Sequence, residues 1–165
     1  MENSLQVGGV FKFEQYRDGV KIDEWESKNL VVNEGLNHLL DTVLHASTPV
    51  TTWYVGLFEG DYTPVATDTA ANIASNATEC TAYDEAARVT WDEAAASSQQ
   101  ITNSASKATF TMNATKTVYG AFLVSSSTKS GTSGTLFAAS KFSVARSVVS
   151  TDELLVTYTV QAVSA

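Results

Sequence analysis

Cysteine is almost absent from this chain. Cys80 stands alone, so no intrachain disulfide is possible, and its thiol is expected to be partly buried. No apolar run is long enough to suggest a membrane span. The opening MENSLQVGG lacks the basic start and apolar stretch of a secretion signal. With no such signal, the Asn-Ala-Thr sequons at Asn76 and Asn113 read as chance. Basic residues are scarce, ten against eighteen acidic, for a net charge of -8. Gripping phosphates requires clustered Lys and Arg, so this balance argues against a nucleic-acid partner. An acidic surface suits solubility or a basic partner surface.

The motifs of catalysis and metal binding are missing as well. No Gly-x-Ser-x-Gly elbow occurs. Ser130-Gly131-Thr132-Ser133-Gly134 has the composition of a phosphate loop but not its Gly-Lys-Ser/Thr ending, and it reads as a flexible strand connection. His38 and His45 are the only histidines. Two helical turns separate them by roughly 10 Å, too far to share one metal when Zn–N bonds are about 2 Å. His38 is expected at the surface and His45 near the negative end of the helix dipole. Acidic residues gather as Glu59, Asp61 and Asp68 and as Asp84, Glu85, Asp92 and Glu93. Neither group has the spacing of a calcium loop, and both read as solvated. Trp25, Trp53 and Trp91 could line a sugar-binding face, but in a β-rich chain they are more simply core. The sequence thus predicts no enzyme, no catalytic residue, no cofactor and no metal.

What is present is a fold signal. A length of 165 residues with 44% apolar content suits one domain with a sizeable core. Residues 1–8 read as a flexible or partner-bound arm and residues 9–165 as a single β domain. Residues 10–26 read as a hairpin about Asp18-Gly19. A three-residue loop would set Lys12 opposite Glu24 and Phe11 opposite Trp25. One helix is expected near residues 33–45, capped by Asn33, with Leu36, Leu39, Leu40, Val43 and Leu44 as its buried stripe. The strand after it, carrying Trp53 to Phe58, is apolar on both faces and should be covered on both. A short helix capped by Asp68 and a strand at residues 88–91 follow, with a loop at residues 94–100. Residues 107–114, 117–124, 136–142 and 153–163 read as strands, and residues 125–134 as a polar loop able to conform to a neighbour. Period-two runs with a single substantial helix indicate an all-β fold, an antiparallel β-sandwich or barrel.

The segments NLVVNEGLNHLL, TTWYVGLFEGDYTP, ITNSASKATFTMN, VYGAFLVSSS and GTSGTLFAASKFS, in that order, resemble small virion structural proteins of tailed bacteriophages. The resemblance runs from about Gly9 to the C-terminus. It implies a virion component, assembled in the host cytoplasm, with a jelly-roll-like β fold. It implies foremost a capsid cement or decoration protein, bound as a dimer or trimer across joints of the major capsid protein. A tail or head–tail component is the alternative, and a carbohydrate- or receptor-binding module is a reading of a different class. No membrane partner is implied, and no functional residue carries over.

Overall fold

The structure, a computed structural model, describes residues 4–164. Two antiparallel sheets face each other. The first has the order β2-β1-β11-β7, with β8 also on β11. It is built from β1 (Leu5–Arg17), β2 (Val20–Lys28), β7 (Gln100–Thr102), β8 (Ala108–Thr111) and β11 (Glu153–Ser164). The second has the order β3-β10-β9-β4-β5, with β6 also on β4. Its strands are β3 (Leu30–Val31), β4 (Trp53–Phe58), β5 (Glu79–Cys80), β6 (Val89–Trp91), β9 (Lys116–Val124) and β10 (Leu136–Val148). The all-β sandwich expected from the sequence is the observed fold.

Between the sheets lies the main core. Alternation along β8 and β11 buries Ala108 and Phe110, and Leu154, Val156 and Tyr158, against Val55, Leu57, Ala121 and Leu123. Phe11 stacks on Tyr158 with ring centroids 4.0 Å apart, and Phe13 on Trp25 at 5.2 Å. Phe142 of β10 meets Phe13 edge-on, so the aromatic row joins the two sheets.

β4 is covered on both sides, as its composition demands. Val55 and Leu57 face the other sheet, while Phe58 enters a second core with Phe122, Leu136, Ala70 and Ile73. That outer cover comes from the segment around α2 (Ile73–Asn76). The short helix begins later than expected, and Asp68 does not cap it. Its carboxylate instead accepts from the Val65 N–H and the Tyr62 hydroxyl, tying the loop to itself.

The hairpin departs from its expected register. Asp18 and Gly19 have φ of 50° and 76°, a two-residue turn whose twist matches the strands. Ile22 is an extra residue in β2, so Phe13 opposes Trp25 and Lys12 opposes Glu26. This bulge allows the short turn without placing Glu14 against Asp23. Glu14 faces Glu24 instead, and the repulsion is relieved by Lys21, which reaches both, and by Lys107.

Residues 1–3 of the expected arm lie outside the described residues. Residues 5–8 extend β1, pairing Leu5 with Ser164 and Gly8 with Gln161. The loop at residues 125–134 is also no free connection. Buried Arg88 donates to the carbonyls of Ser126 and Gly131, and Glu79 accepts from the Ser130 N–H.

Candidate interaction surface

Helix α1 (Asn33–Leu44) shapes a large, accessible apolar cavity, and it sits otherwise than its hydrophobic stripe predicts. Val32 occupies the N-cap with no side-chain cap bond, and Asn33 is the first helical residue. Its N–H donates to Ala66 O at 2.9 Å. Glu34 anchors the first turn by accepting from Ala70 N at 2.8 Å and Leu136 N at 2.6 Å. The buried position is Gly35. A Cβ there would overlap the Phe137 carbonyl oxygen and lie 2.8 Å from the Phe137 Cα. The missing side chain lets the helix backbone rest directly on β10. The docked face therefore runs through Gly35, His38, Leu39 and Thr42.

Of the expected buried stripe only Leu39 packs on the core; Leu36, Leu40, Val43 and Leu44 turn outward instead. Leu40 is 55% exposed, Val43 74% and Leu44 78%. These residues form one wall of a cavity of 710 Å³ at the open end of the sandwich. Trp53, Trp91, Leu123 and Phe137 make its floor, and Leu5, Val7, Ile101 and Val160 its far wall. The polar atom of Trp91 is already engaged, donating to Tyr158 O at 3.1 Å. His38 meets the Trp53 ring edge-on at 5.6 Å. What remains is a broad apolar mouth between helix and sheets, suited to desolvating an apolar partner rather than to orienting a polar substrate.

The residues weighed for chemistry are dispersed. Among the described residues no three His, Cys, Asp or Glu side chains gather as a metal site. Glu59 pairs with Lys116 at 2.9 Å, Asp61 with Lys141, and Asp68 serves its own loop. In the other acidic group, Glu85 accepts from the Thr111 N–H. Trp25 lies inside the main core, so the three tryptophans share no face; only Trp53 and Trp91 reach the mouth. Cys80 is wholly buried, and burial pushes its thiol pKa up.

A family model described as podophage GP4 fiber I protein gp80 matches residues 27–164. The chain belongs to this family. The match takes in the helix, the second sheet, β7, β8 and β11 of the first and most of the mouth, leaving out β1 and all but the end of β2. No curated protein matches the chain. Membership of this podophage family makes it a tailed-phage virion structural protein, the coarser of the two statements that the sequence segments implied.

Proposed function

We propose that this chain is a structural subunit of a podophage tail fibre and that it works by contact rather than by catalysis. The family description, matched across residues 27–164, carries the reading and favours the fibre over a decorating role on the shell. The geometry supports a contact role. The mouth is apolar, and Glu59, Asp61, Asp68 and Glu85 are occupied by ion pairs or backbone N–H groups. Apolar surface that is left open on a folded domain is where association gains free energy.

The test is the position and number of copies in purified virions. Antibody against the chain, viewed by electron microscopy, should mark the tail end of the particle, and quantitative mass spectrometry should find copies in a few multiples of three or six. Label spread over the head, with hundreds of copies, would replace the fibre by capsid cement.

A further inference from the structure

We propose that the β1 edge beside the apolar mouth accepts a strand from a different polypeptide, one with large apolar residues at alternate positions. The inference rests on the fold and not on the fibre assignment.

β2 stops short of β1. Their pairing ends where Lys28 opposes Val10, and the last bond on that side is Asn29 N–H to Gly9 O at 3.0 Å. Backbone groups alternate sides along a strand, so Val7 and Leu5 present their N–H and C=O on the same side as Gly9. Among the described residues no strand pairs with them there. β11 covers only the opposite edge, from Leu5↔Ser164 onward.

The edge is also unguarded. Sheet edges are commonly protected by charge, and β2 carries Lys21, Asp23, Glu24, Glu26 and Lys28. The stretch from Leu5 to Phe11 carries no charge at all. Cavities flank it on both faces. The 710 Å³ mouth lies on the Leu5 and Val7 side, and a second cavity of 290 Å³ runs along Gln6, Gly8 and Gly9, next to Lys28. At Gly8 an added Cβ would meet nothing within 4 Å. The vacancy is strand-shaped: a row of free backbone groups, an apolar hollow for every second side chain, and an open polar side for the others. Strand addition uses this combination, with backbone bonds giving affinity and alternate pockets giving selectivity.

A second copy is a poor occupant. At its own open edge a second copy offers only Leu5 and Val7 before Gly9, whose carbonyl Asn29 already holds, so it fills the mouth less than a strand carrying large apolar residues along its length.

The probe is a seven-residue peptide alternating Leu or Phe with Thr, offered to the full chain and followed by hydrogen exchange and titration. Controls are the same composition with its apolar residues in one block, and the alternating peptide N-methylated on its pairing edge. Saturating alternating peptide should slow exchange of the Leu5 and Val7 amides at least tenfold. N-methylation should weaken binding at least tenfold. So should Leu5→Lys, which points a charge into the mouth from a side chain 71% exposed, and Val43→Lys on the facing wall. Equal binding of the blocked peptide, or no binding at millimolar peptide, would overturn the proposal. Protection of the same amides without peptide, rising with protein concentration, would overturn it in favour of a second copy.

Discussion

Arg88 lies fork to fork on Glu79, Nε to Oε1 at 2.9 Å and Nη2 to Oε2 at 2.7 Å, with the two side chains 0% and 1% exposed. The guanidinium also rests 5.2 Å from the Phe122 ring centroid and holds the 125–134 loop through two carbonyls. Arg88→Ala strands a buried carboxylate and should cost about 3–5 kcal/mol. Replacing both partners with apolar residues should cost much less, because no charge is then left unpaired. Urea denaturation of the three chains measures the difference. Limited proteolysis should cut residues 125–134 in both variants and spare them in the parent.

Acid should act through Asp152. Its side chain is fully buried and accepts from Arg17 Nε at 2.7 Å, from Gln15 Nε2 at 2.8 Å and from the Val149 N–H. The Arg17 contact leads in holding its pKa down to about 2, against an ordinary 3.8. A depressed folded pKa adds stability above the unfolded value, and this is lost as pH falls from about 4 to about 2. The contribution is on the order of 2 kcal/mol. Other carboxylates with depressed values, such as Glu24, titrate in the same window. The measurement is therefore a comparison: stability of the parent should fall more steeply than that of Asp152→Asn between pH 4 and pH 2. Parallel curves would mean that Asp152 does not carry the dependence.

The strands were legible because one face of each packs on the core and the period of two survives in the residues, as in Ala108, Phe110 and Met112. The helix was legible as a helix, but its orientation was not. Periodicity finds the apolar stripe of Leu36, Leu39, Leu40, Val43 and Leu44, of which only Leu39 docks, while the seating was decided by Gly35, which has no side chain to register on any hydrophobicity count. The Ile22 bulge was hidden for a similar reason, since one inserted residue changes register without changing composition. The mouth could not be read at all. Its lining joins Leu5 and Val7, Leu40 and Val43, and Val160 and Ala162, which only the folded topology brings together. The Arg88–Glu79 and Arg17–Asp152 pairs join elements in the same way, and no local spacing announces them.

Gly35→Ala tests the seating of the helix. Alanine is the better helix former by about 1 kcal/mol, so propensity alone predicts a gain. The new Cβ has no room against Phe137, and overpacking of this kind costs about 1–3 kcal/mol. The net expectation is a lower urea midpoint with faster amide exchange confined to residues 33–44. A stabilised variant would show that the helix does not rest on β10 through this residue.

Leu40 and Leu57 are the same residue type in opposite settings. Leu57 is fully buried between the sheets, and truncation to alanine should cost about 2–5 kcal/mol. Leu40 is 55% exposed in the wall of the mouth, and Leu40→Ala should change stability by no more than about 0.5 kcal/mol. Read as the core stripe of an amphipathic helix, Leu40 would cost as much as Leu57. The two outcomes are far apart, and denaturant titration of both variants at low protein concentration separates them. Concentration matters because an apolar wall left open in the isolated chain is protected once something covers it. A large loss at Leu40 that disappears on dilution would mean that copies associate through the mouth. A large loss that persists at every concentration would mean that α1 packs its apolar stripe inward after all.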